Sequence, residues 1–182
     1  MRKNVKKQLA LRVLSTAALM AMVSSIATAA FADTYDLNTG SVTVETKADG
    51  YTYVTQEDTE TTDHLDTTGV TITSNGTQTS NTITVETADN QTTNVTLQDV
   101  NIKEDQWSGG AAMTIKGKGD TEIELNGDNT LISGNHHAGL EKAGDVSQGS
   151  LTIKDDKNNN GSDKAKDEDG DIGTLIAAGG FG

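Results

Sequence analysis

The chain has no cysteine and no proline, and 3% of its 182 residues are aromatic, with a single Trp. Without thiols there is no disulfide framework, no thiolate zinc site and no cysteine nucleophile. Positive charge is scarce and badly distributed. Of 14 basic residues, five (Arg2, Lys3, Lys6, Lys7 and Arg12) fall in the first dozen positions, and no Arg follows. Past residue 32, nine Lys face 27 acidic residues, a net charge of −18. Such a segment repels nucleic acid and anionic membrane, because it cannot neutralise phosphates.

What is present at the start is an export signal. A basic n-region ends at Arg12, an apolar stretch runs from Val13 to Ile26, and Ala30-Phe31-Ala32 supplies a small-x-small cleavage site. The apolar stretch is interrupted by Ser15, Thr16, Ser24 and Ser25 and falls short of the roughly 20 residues that cross a bilayer. Residues 1–32 are therefore expected to be removed. The mature chain would start near Asp33, be secreted or sit at a cell surface, and have no membrane span. The n-region and the lack of Cys read as bacterial.

Beyond the signal the pattern has period two. Ser41–Glu45, Val70–Thr73, Thr82–Glu86, Asn94–Leu97 and Val100–Ile102 alternate aliphatic with Thr or charge. Met113–Ile115, Glu122–Leu125, Thr130–Ile132, Leu151–Ile153 and Thr174–Ala177 do the same. That is the signature of short strands with one buried face, and no helix is expected. Turn formers such as Asn75-Gly76, Lys118-Gly119-Asp120 and Asn126-Gly127-Asp128 separate the runs.

Two internal echoes favour stacked coils over hairpins. Ala112–Lys116 resembles Ser150–Lys154. Val95-Thr96-Leu97 with Ile102 resembles Ile123-Glu124-Leu125 with Leu131. The expected fold is all-β, a right-handed parallel β-helix, in which each coil adds a thin aliphatic strip to a continuous core. A β-sandwich is the alternative. Residues 48–66 read as a surface excursion carrying one strand, and 155–171 as a solvated acidic loop.

These residues resemble a known family. Ser80–Val85, Val95–Ile102, Ile123–Leu131, Ala138–Glu141 and Gly149–Ile153 look like the secreted clostridial carbohydrate-binding proteins of cellulose- and pectin-binding type. The resemblance spans most of residues 35–180, and Leu125-Asn126-Gly127-Asp128-Asn129-Thr130-Leu131 is its most specific part. It implies a right-handed parallel β-helix like that of pectate lyases, calcium binding, and carbohydrate binding without established catalysis. It also implies further coils after Gly182, so residues 33–182 are expected to be a carbohydrate-binding domain truncated at its C-terminus.

Local motifs nominate sites. Asp156, Asn158, Asn160, Gly161 and Asp167 match positions 1, 3, 5, 6 and 12 of a calcium loop, with alternating oxygen ligands around a tight turn. Against this, Asp163 takes a position usually apolar, and a solvated acidic loop explains the segment equally well. Trp107, in a Gly-rich loop, could stack on a pyranose or cap the core. Tyr51 and Tyr53 alternate on one side of a strand and face the same choice. His136-His137 reads as a polar turn, since adjacent side chains in an extended chain diverge.

A pectate lyase needs a basic residue to take the proton α to a uronate, and the mature chain has no Arg and nine scattered Lys. The expected function is non-catalytic binding of plant or cell-wall polysaccharide, cellulose-like or pectin-like, with calcium. A surface structural or adhesion solenoid is the first alternative and a polysaccharide lyase the second.

Overall fold

A computed structural model describes residues 33–56, 59–63, 69–107, 110–143, 149–155 and 173–180, all within the compact unit Ala32–Gly182. The proposed export signal lies outside the described residues. Among those described there is no helix, and hence none long and apolar enough to cross a membrane. The fold is all-β.

Among the described residues fourteen strands form three sheets. The first sheet is entirely parallel. It runs β1 (Thr34–Asp36), β5 (Val70–Thr73), β7 (Thr92–Gln98), β10 (Asp120–Asn126) and β13 (Leu151–Lys154). The second is also parallel and runs β8 (Asn101–Lys103), β11 (Asp128–Ile132) and β14 (Thr174–Ala178). The third holds β2 (Val42–Thr46), β6 (Ile83–Thr87), β9 (Met113–Gly117) and β12 (Leu140–Lys142) in parallel. It is extended beyond β2 by antiparallel β3 (Thr52–Gln56) and β4 (Thr59–Asp63).

The chain takes the sheets in a recurring order. From β7 it goes to β8 and β9, then returns to the first sheet at β10 and repeats through β11 and β12. Counting β1–β2 as pass one, β7–β9 is pass three and β10–β12 pass four; pass two, from β5 to β6, follows the same route, with Thr79 bridging to Ile102 where a second-sheet strand would stand. Parallel neighbours need a long crossover, and here the other two sheets supply it.

Register keeps like over like. Tyr35, Ile72, Leu97 and Leu125 are successive partners, as are Val70, Val95, Ile123 and Ile153. Val42, Ile83, Met113 and Leu140 stack in the third sheet, and Ile102, Leu131 and Ala177 in the second. These rows converge on one core that includes Leu37, Val44, Val54 and Val85. The second echo in the sequence is thus a true stacking relation: Val95–Leu97 lies on Ile123–Leu125, and Ile102 on Leu131. The first is not, because Met113–Lys116 belongs to the third sheet and Leu151–Lys154 to the first.

Where the third sheet gives way to the first, the core is polar. Thr46, Thr52, Thr87, Thr93 and Thr121 are all buried. The Thr93 hydroxyl donates to Thr46 (2.7 Å), and 2.7 Å separates it from Thr87, itself 3.2 Å from Thr121; Thr46 and Thr52 are 3.0 Å apart. A hydroxyl has one proton. Thr93 spends its proton on Thr46, so Thr87 must donate to Thr93 and Thr121 to Thr87. Between Thr46 and Thr52 either hydroxyl can donate. From Thr121 through Thr87 and Thr93 to Thr46 the ladder is polarised in one direction, and each bond strengthens the next.

The corner from the first to the second sheet is held by Asn129, 1% exposed. Its Oδ1 accepts Val100 N–H, and its Nδ2 donates to the carbonyls of Asn126, Gly127 and Thr174. One buried amide therefore ties three successive passes together. At the end of β9, Gly117 has φ +91°, and a Cβ there would lie 2.1 Å from the Thr87 carbonyl. Only glycine fits that approach.

The last pass differs. Ile153 is 43% exposed although its partner Ile123 is fully buried, and Ala177 is exposed beside buried Leu131. Ile176, on the opposite face of β14, is 61% exposed.

Candidate functional site

The corner between the second and third sheets gathers the unused chemistry. In pass three it holds Glu104–Trp107 and Gly110–Ala112, and in pass four Ser133–Gly139. Backbone bonds stack the two loops: Asn135 N–H donates to Gln106 O (3.1 Å) and Gly134 N–H to Gly110 O (3.1 Å). Trp107 rides on this stack. Its N–H donates to Asp105 Oδ1 at 3.0 Å, a local turn that orders the loop, and its side chain is 80% exposed. It does not cap the core.

The adjoining loop presents His136, exposed and in the left-handed region at φ 67°, and half-buried His137, whose Nδ1 lies 2.9 Å from Glu141 Oε2. Ser133 braces the loop, its hydroxyl donating to His137 O and accepting Gly180 N–H. Asn135 Oδ1 is buried without a hydrogen-bond partner. A buried amide oxygen with no donor is rare in a native fold and points to a missing polar neighbour. Asn135, His137 and Glu141 carry no motif that marks them in sequence, where His136-His137 reads as a plain turn. Their relation to Trp107 exists only through coil stacking.

Tyr51 and Tyr53 belong elsewhere. Both are half-buried on the outward side of the β3 segment, where Tyr53 partners Glu45. The Tyr53 hydroxyl donates to Asp49 Oδ2 at 3.0 Å, and the Lys47 ammonium sits 3.7 Å from its ring centroid. The Tyr51 N–H, above all, holds the Asp49 carboxyl below its usual range, and the Tyr53 hydroxyl adds to this. In the third sheet β6 and β2 stand between β9 and β3, so roughly 14 Å, three strand spacings, separates β9 from β3. Trp107 and the tyrosines are not one platform.

The proposed calcium ligands Asp156, Asn158, Asn160 and Asp167 lie outside the described residues. Their base is visible. Asp155 Oδ2 accepts Gly173 N–H at 3.2 Å, which joins the end of β13 to the start of β14. Asp155 Oδ1 is buried with no hydrogen-bond partner. Among the described residues no cluster of three or more His, Asp or Glu forms a metal site.

Compared with known proteins, the chain matches no family model, no curated protein and no solved structure.

Proposed function

We propose that the chain is an exported, non-catalytic module that binds plant or cell-wall polysaccharide, built as a right-handed parallel β-helix and holding calcium. The recurring sheet order and in-register parallel rows support the β-helix, and right-handed crossover is the rule for parallel strands. The observation that carries the binding reading is Trp107, exposed and fixed by Asp105 and by the stacked loop of the next pass. A flat aromatic held out on a rigid turn is the side chain that stacks on a pyranose face. The resemblance to the clostridial carbohydrate-binding proteins points the same way.

Calcium draws support from Asp155 Oδ1, a buried carboxylate oxygen without a hydrogen-bond partner at the foot of the acidic segment. Asp156, Asn158, Asn160 and Asp167 would supply further hard oxygen ligands. Removal of residues 1–32 would deliver the module outside the cell or to its surface.

Pull-down on insoluble cellulose and on pectin, with and without chelator, tests the reading. Wild type is retained; Trp107→Ala is released while its thermal melt is unchanged. Calorimetry with calcium should give heat for wild type and less for Asp156→Ala. A wild type that stays in the supernatant on both polymers sinks the carbohydrate reading. It would leave a surface structural or adhesion role, which the exposed Ile153 and Ile176 favour as protein contacts. Release of unsaturated uronides, followed by ultraviolet absorbance, would instead mark a lyase.

A further inference from the structure

Resting on the carbohydrate reading above, we infer that the last pass, β13 and β14, is a clamp on the Trp107 corner: it opens and closes as a unit, ahead of the rest of the fold, and opening it loosens the loop that supports Trp107. Apolar burial holds this pass weakly. Ile153 is 43% exposed, Ala177 is exposed, and Leu151 and Leu175 are half-buried, whereas Ile123 and Leu131 in the pass before are fully buried. Its side-chain ties are mostly polar and wet. Asp120 Oδ1 accepts the Ser150 N–H and hydroxyl, and Lys154 Nζ donates to Glu122 Oε2 at 2.7 Å. The Lys142 ammonium donates to Gly149 O, and Asp128 Oδ1 accepts the Thr174 hydroxyl at 2.8 Å. The buried Asn129 reaches the pass through one bond, to Thr174 O at 3.2 Å. Asp155 Oδ2, by accepting Gly173 N–H, links the end of β13 to the start of β14, so the two strands move together. A segment with few buried apolar contacts opens locally at a free energy below that of global unfolding, and exposed ion pairs add little to hold it.

The far end of β14 is built into the corner. Ser133 N–H donates to Ala178 O (3.1 Å), and Gly180 N–H donates to Ser133 Oγ (3.0 Å) and His137 O (3.2 Å). The loop braced in this way is the one whose Gly134 and Asn135 N–H groups donate to Gly110 O and Gln106 O, on either side of Trp107. The Trp107 side chain is 80% exposed, so these backbone bonds and the Asp105 turn, rather than packing, set the direction of its ring. With β14 away, Ser133 loses the acceptor for its N–H and the donor to its hydroxyl oxygen, and the supporting loop is freed on one side. A ring whose direction is not fixed must be ordered by its ligand, and that ordering costs affinity. Apparent affinity then falls with the fraction of molecules in the closed form.

Because the clamp opens before the fold unfolds, urea separates the two steps. Trp107 is the chain's single Trp, so its fluorescence anisotropy reports on the corner. On the full chain, with chelator present, that anisotropy should fall at lower urea than the far-ultraviolet circular dichroism of the whole fold. Hydrogen exchange read by mass spectrometry between the two steps should find β13 and β14 unprotected and β7 still protected. Asp120→Asn and Glu122→Gln should each move the first step to lower urea and leave the second in place. Glu122→Cys with Thr152→Cys, register partners across β10 and β13, permits a disulfide that shuts the clamp. Its oxidised form should lack the first step, and reduction should restore it. Retention of wild type on insoluble cellulose or pectin should drop about tenfold across the first step. A single step in both signals, or an opening of β13 and β14 that leaves the Trp107 anisotropy unchanged, overturns the inference. If neither polymer retains the wild type without urea while the first step is present, the clamp stands and the carbohydrate reading falls.

Discussion

Ile153 stands in parallel register on Ile123, yet Ile123 is fully buried and Ile153 is 43% exposed. The two share residue type, sheet and core-facing position; among the described residues β10 is paired on both sides, by β7 and β13, and β13 on one side, by β10. Ile123→Ala should therefore cost about 2–5 kcal/mol, the range for a buried aliphatic that leaves a cavity. Ile153→Ala should cost under about 1 kcal/mol, since much of its surface is already wet. Urea unfolding followed by far-ultraviolet circular dichroism separates the two. Equal losses would mean that the last pass is covered in solution.

The threonine ladder gives a second test. Thr93→Val keeps the shape but removes both the proton given to Thr46 and the acceptor used by Thr87. Thr87 keeps its bond from Thr121, but its own proton is left without an acceptor. The expected loss is about 1–3 kcal/mol, the cost of a buried polar group without its partner. Thr84→Val, on the outward side of β6, should stay within about 0.5 kcal/mol of wild type.

Gly117→Ala meets two obstacles, a positive φ and the Thr87 carbonyl. It should destabilise by at least about 2 kcal/mol, whereas the same change at Gly76, where a Cβ meets nothing within 4 Å, brings only the cost of positive φ. Comparing the two melts isolates the close approach of β9 to β6.

Asp120 provides a pH test. Its Oδ1 accepts the Ser150 N–H at 2.7 Å and hydroxyl at 2.8 Å; the N–H is the larger cause that holds its carboxyl below the usual range. The charged form is favoured in the folded state, so its contribution is complete above the ordinary carboxylate pKa. It is lost as pH falls through the lower folded value. Wild type should therefore be more stable than Asp120→Ala near neutrality, and the difference should close in acid. A constant difference across that range would show that the carboxylate charge contributes nothing.

Strands with an aliphatic at every second position were legible in sequence, and β2, β5, β6, β8, β9, β11, β13 and β14 lie where the alternation puts them. β7 and β10 run longer than their aliphatic pattern, because the extra inward residues Thr93 and Thr121 are polar and find partners only in the ladder. β1 and β12 hold one apolar residue each and were not legible; β8 is as short, but Val100 two positions before Ile102 extends its alternation. Residues 48–66 hold two strands rather than one. β4, Thr-Glu-Thr-Thr-Asp, has no apolar residue, and its pairing with β3 rests on the backbone. Trp107 was visible as a lone aromatic in a Gly-rich loop. Asn135 and Glu141 were not, since they lie 28 and 34 positions downstream of it.

Local pattern therefore dictated an all-β chain, the faces of its strands and the bends between them, because pleat and turn chemistry act over two to four residues. It left open which rows would stack. That depends on how many residues each pass spends between corners, a count that carries no chemical mark. Stacking alone made Val95 the neighbour of Ile123, ran one hydroxyl chain through five threonines, and set the Asn135 loop against that of Trp107. Contacts between passes join residues about thirty positions apart, and only the closed geometry of the three sheets brings them within bonding distance.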